Sequence, residues 1–169
     1  MPMNEQDDSP TAKILRGALA GLVAGAAASF VMDAFQAAVA ALSSDDDARS
    51  EPATQRAADA IARTVTGDAI APADKPLAGQ AIHYALGIGL GVAYGIAAEF
   101  RPQVTAGYGT AFGIGTATLL DEAAVPAVGL GATPWEAGPA SNLYSYASHL
   151  VFGSTTELVR RQVAGTLTA

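Results

Sequence analysis

Cysteine is absent, which excludes disulfides, thiolate metal sites and cysteine nucleophiles. Charge is scarce: Asp, Glu, Lys and Arg make up 15% of the 169 residues, against about 25% in an ordinary soluble domain. Basic residues number only nine, the net charge is −7, and no stretch forms the basic stripe that displaces counterions from nucleic acid. Local catalytic spacings are missing too. The sequence contains no Glu-x-x-His, no His-x-x-x-His and no recognisable serine nucleophile motif.

What is present is apolar and bunched. Half the residues are hydrophobic and the mean hydropathy is +0.27. Four stretches are nearly free of charge, about 14–42, 77–98, 103–131 and 140–159, and the helices expected on them run over about 14–42, 77–99, 103–130 and 141–162. Each meets the roughly 20 residues needed to cross about 30 Å of hydrocarbon as a helix. A soluble surface helix would carry a charged stripe at period 3.6, and these do not. A cleaved signal peptide fits the first stretch poorly, because its lead-in is acidic and the run is long. The expected fold is all-α: a four-transmembrane-helix bundle over residues 13–163, preceded by a disordered acidic tail over 1–12.

The basic residues give an orientation. Lys13, Arg16, Arg101, Arg160 and Arg161 fall on one side of the four spans, and the acid-rich loop with Arg49, Arg56, Arg63 and Lys75 falls on the other. The positive-inside rule places both termini in the cytoplasm. The turn Glu99-Phe100-Arg101-Pro102 makes spans two and three an antiparallel hairpin, and Trp135 and Tyr144 suit the outer interface. In the long outer loop, Ser50-Glu51-Pro52 reads as a helix start, Ala57, Ala58, Ile61 and Val65 recur at helical spacing, and Gly67 reads as a stop. A short amphipathic helix over about 52–66 is expected there, lying on the membrane surface or capping the bundle.

Glycines recur every fourth residue: Gly17, Gly21 and Gly25; Gly87, Gly91 and Gly95; Gly109 and Gly113. Such stripes let membrane helices approach closely, either within one chain or across a homo-oligomer.

Ionisable groups at membrane depth are candidates for function. Asp33, His83, Asp121, Glu122 and His149 fall at similar depth in the outer half. That set suits hydrogen bonding between helices, proton or ion handling, or a divalent metal such as zinc, manganese or iron. Glu99 and Glu157 fall at the cytoplasmic end with Arg101, Arg160 and Arg161, as interfacial ion pairs.

Taken in order, several segments carry a resemblance. They are Gly17-Ala-Leu-Ala-Gly21-Leu-Val-Ala-Gly25, Ala60-Ile-Ala-Arg63 to Gly67, and His83-Tyr84 through Gly91-Val-Ala-Tyr94-Gly95 to Glu99. They continue with Asp121-Glu122-Ala-Ala-Val-Pro126-Ala-Val-Gly129 and His149-Leu-Val-Phe-Gly153 to Glu157 and Arg160. The chain resembles the YagU-like family of bacterial inner-membrane proteins, whose biochemical function is not established. The resemblance implies an inner-membrane location and supplies no catalytic residue. The expectation is a non-enzymatic structural or interaction component with the lipid bilayer as its main partner, no nucleic acid and no resident cofactor. The alternative is a proton-handling, ion-handling or metal-binding protein built on the outer His and carboxylate cluster.

Overall fold

The computed structural model describes residues 9–42 and 51–168, and among them every regular element is helical. Helix α1 (Pro10–Leu42) is followed by α2 (Ala53–Thr66) and α3 (Lys75–Phe100). A 3₁₀ turn (Pro102–Thr105) leads to α4 (Thr110–Thr116), which continues without a break as a π-helix (Ala117–Ala124) and α5 (Val125–Ala127). A single turn, α6 (Pro134–Ala137), precedes α7 (Pro139–Leu167).

Prolines and glycines punctuate the chain as their chemistry requires. Pro10, Pro76 and Pro139 stand in the first turns of α1, α3 and α7, where a missing N–H costs nothing. Gly67 ends α2 in the left-handed conformation and donates its N–H to the Arg63 carbonyl. Ser50, the expected cap of α2, lies outside the described residues, as do residues 1–8 of the expected tail. Helix α1 already begins at Pro10, inside that tail.

The third stretch departs most from expectation. Its helix begins at Thr110 rather than near 103, because Gly107, Tyr108 and Gly109 have φ of 66°, 54° and 82°. Three consecutive left-handed residues cannot propagate a right-handed helix. Tyr108 is held there with its ring under the Arg161 guanidinium, 4.6 Å from ring centre to Cζ. Further on, Pro126 cannot donate a backbone hydrogen bond, and the turn before it is a π-helix.

Helix α1 packs along α3 and α7, α4 packs on α7, and α2 lies on α3. The α1–α3 seam is built largely from backbone, with the Ser29 side chain against Gly87. A Cβ placed on Gly17 would stand 2.7 Å from the Gly95 carbonyl oxygen, and one on Gly25 would stand 2.9 Å from the Ile88 Cα. Gly21 against Gly91 is tighter still. The α4–α7 seam repeats the device, with Gly109 against Gly153 and Gly113 against the His149 carbonyl. Ala20, Ala24 and Ala28 of α1 are fully buried beside the seam. Ala28, Met32 and Phe152 form the apolar core, flanked by Leu90 and Phe112.

Helices α1 and α3 are each long and apolar enough to cross a membrane, with mean hydropathies of 1.7 and 1.5 over their most apolar 18 residues. Only 39% and 28% of those windows are buried inside the molecule, so much of their apolar surface faces outward. Leu15, Leu19, Leu22 and Phe30 of α1 and Leu77 of α3 are exposed.

Candidate functional site

A cavity of about 460 Å³ opens at the end of the bundle where α1 finishes and α3 begins. Its walls include Asp33 from α1, His83 from α3, Asp121 from the π-helix and His149 from α7. Four of the five outer residues singled out by depth thus meet at one space. Glu122 does not line it. It faces a second cleft of about 300 Å³, which it shares with Asp121, Ser141 and Asn142.

Each histidine is paired with an aspartate from another element. His83 Nε2 lies 3.2 Å from Asp33 Oδ1 and 3.5 Å from the Ser29 carbonyl oxygen. His149 Nδ1 lies 3.0 Å from the Ser145 carbonyl oxygen and 3.6 Å from Asp121 Oδ2. A carbonyl only accepts, so both of these ring nitrogens carry protons and the second nitrogen of each neutral ring keeps its lone pair. The carboxylates are steadied in turn. Gln80 Nε2 donates to Asp33 Oδ2 at 2.5 Å, the Tyr84 hydroxyl also reaches Asp33, and Ser145 Oγ donates to Asp121 Oδ2 at 2.7 Å. Gln80 and Ser145 were not foreseen, since an amide and a hydroxyl in an apolar run carry no distinguishing spacing.

A second signal in the sequence does lead to both aspartates. Gly21-x-x-x-Gly25 in α1 is followed eight residues on by Asp33, and Gly109-x-x-x-Gly113 is followed eight residues on by Asp121 (25 to 33; 113 to 121). Each glycine pair presses on the partner helix, so a repeated spacing delivers each carboxylate about two turns beyond a seam. The two helix pairs, α1 with α3 and α4 with α7, present matched acids to the same cavity.

Helix α2 closes the top. Pro52, Thr54 and Gln55 line the cavity, and Gln55 rests on Gly79 of α3. The loop behind α2 is pinned by Asp59, which accepts from Arg63 Nε at 2.9 Å and from the Ile70 N–H at 2.8 Å. Those two bonds hold the Asp59 carboxyl below its ordinary value, the Arg63 bond contributing most. Helix α2 thus packs on α3 and borders the cavity.

The opposite end of the bundle is closed by ions. Glu157 is fully buried. It accepts from Arg160 at 2.8 and 3.0 Å, from the Tyr94 hydroxyl at 2.9 Å, and from Arg161. The Tyr94 ring stacks on Phe112. Glu99 pairs with Arg16 of α1 and not with its neighbour Arg101. The pairing is across helices, which proximity in sequence did not reveal.

Among the described residues, no three His, Asp or Glu side chains gather closely enough to hold a metal ion. The two His–Asp pairs stand as separate couples.

A family model matches residues 62–158, which is 97 of the 169 residues (158 − 62 + 1) and more than half the chain. The chain belongs to the DUF1440 family. That family is described as proteins of unknown function. No curated protein and no solved structure matches the chain. In this DUF1440 protein the matched span takes in His83, Asp121, His149 and Glu157. Asp33 and the α1 half of the glycine seam lie before it.

Proposed function

We propose that this DUF1440 protein is a four-helix inner-membrane protein, both termini cytoplasmic, that handles protons together with a small solute in an outward-facing cavity. The observation that carries the reading is the convergence of two His–Asp pairs, drawn from α1, α3, the π-helix and α7, on one space of about 460 Å³. A volume of that size suits a small-molecule ligand. Ionisable groups at membrane depth are costly and mark ion or proton paths. Each imidazole beside a carboxylate has one nitrogen that donates and a second that can accept a proton.

Membrane placement is supported by the outward-facing apolar surface of α1 and α3 and by the resemblance to YagU-like inner-membrane proteins. The run 110–127 and helix α7 complete the four spans. The first is divided by its π-helix and the second is diluted by Ser, Thr and Tyr. The reading as a purely structural or interaction component rested on the glycine stripes. Gly17, Gly21, Gly25, Gly87, Gly91, Gly95, Gly109 and Gly113 all press on neighbours within the chain, so they no longer call for a partner.

Two measurements test the proposal. In proteoliposomes with an entrapped pH dye, the protein should carry protons, and His83→Ala combined with Asp121→Ala should abolish the flux while the helical circular dichroism is kept. Flux that persists in that variant would overturn the assignment. Because the chain lacks cysteine, Ala71→Cys and Ala106→Cys are clean topology reporters. An impermeant maleimide added to intact cells should label the first and spare the second.

A further inference from the structure

We infer that the ligand of the outer cavity is a small organic cation with an apolar body. The inference rests on the proton-handling reading above and names its substrate class.

Charge comes first. Among the described residues, the lining holds two carboxylates, Asp33 and Asp121, on different walls, and no lysine or arginine. The titratable groups that face these carboxylates are His83 and Tyr84 of α3 and His149 of α7. Helix α2 contributes Pro52, Ala53, Thr54, Gln55 and Ala57 to the lining, none of them ionisable. With both imidazoles neutral, the space therefore carries negative potential, and low-dielectric walls focus it. An anion is disfavoured on either wall.

The donor set gives a bare metal ion little purchase, since among the described residues no three His, Asp or Glu groups gather together. Two separated couples instead suit a charge spread over an organic ion. The remaining walls supply the match for its body: Met32, Leu86, Leu90, Leu120 and Phe152. A strongly hydrated inorganic ion gains nothing from such a surface, whereas an alkyl- or aryl-ammonium ion buries area against it.

Protons oppose the cation in this space: each proton taken up by a His–Asp couple removes part of the negative charge that draws the cation in.

The test uses the full chain in nanodiscs, with tetraphenylphosphonium as probe and tetraphenylborate as an anion of similar shape. The expected result is saturable phosphonium binding, absent for the borate. Affinity should fall about tenfold or more in Asp33→Asn/Asp121→Asn. If the double variant fails to fold, phosphonium binding to the wild-type protein at pH 8 and pH 5 takes its place, and weaker binding at pH 5 is expected. Equal binding by wild type and folded variant, equal binding at the two pH values, or equal binding of the borate would overturn the inference. Failure of phosphonium binding with proton flux intact in liposomes removes the cation class alone. Loss of the flux itself removes the underlying reading.

Discussion

Gly21 and Gly91 meet backbone to backbone: a Cβ on Gly21 would fall 2.8 Å from both the Gly91 carbonyl carbon and the Val92 Cα. No rotamer relieves such a clash, because the opposing atoms are main chain. Gly21→Ala should therefore destabilise the bundle by about 1–3 kcal/mol, read as a lower thermal midpoint in detergent. Gly89→Ala is the control. A Cβ at Gly89 meets nothing within 4 Å, so stability should change by no more than about 0.5 kcal/mol.

Glu157 gives a second expectation. It is fully buried between Arg160, Arg161 and Tyr94. Glu157→Gln leaves Arg160, itself only 11% exposed, without its counter-charge. Breaking a buried pair from one side costs about 3–5 kcal/mol, whereas Tyr94→Phe removes one hydrogen bond at about 1 kcal/mol. Thermal melts of the two single variants and the double variant should show non-additivity, because the two residues share one bond.

How far these sites could be read in advance follows from helix geometry. Depth along a helix is linear in residue number, so Asp33, His83, Asp121 and His149 could be placed at one level from counting alone. Direction around a helix is not so readily read. Asp121 and Glu122 are neighbours, about 100° apart in an ideal helix, and depth cannot choose between them. Packing against α7 sets Asp121 beside His149, where it borders both clefts, while Glu122 borders the second alone. Counting also puts Arg16 and Glu99 at the same end of the bundle, but the two are 83 residues apart, and the glycine seam is what selects this pair over Glu99 with Arg101. The left-handed run at Gly107, Tyr108 and Gly109 was hidden because tyrosine is a poor signal for positive φ.

The loop beyond α2 should respond to acid. Asp59 has its carboxyl held below the ordinary value of 3.8 by Arg63 first and the Ile70 amide second. A depressed value in the folded state means that the bonds are fully in place above 3.8. They are lost as pH falls through the lower folded-state value. The Ile70 amide proton should therefore keep its hydrogen-bonded chemical shift at neutral pH and move upfield only below about pH 4. Asp59→Asn should flatten that titration.

Helix α2 should act as a removable cover. A Cβ at Gly79 would stand 2.5 Å from Gln55 Cγ and 3.1 Å from the Gln55 nitrogen. Gly79→Leu should lift α2 from α3 and leave the seams below untouched. With Leu90→Cys as a single reporter inside the cavity, maleimide labelling should speed up about tenfold in the Gly79→Leu background. An unchanged rate would show that α2 does not restrict entry.

A seam of glycines also decides which parts of the bundle can move. Glycine has no side chain to switch rotamers, so where α1 meets α3 and α4 meets α7 the main chains themselves fix the spacing. The rings of Tyr94, Phe112 and Phe152 and the alanine flank of α1 fill the space between these two seams. A larger residue in either seam therefore moves a whole helix rather than one side chain, and the carboxylate it carries moves with it.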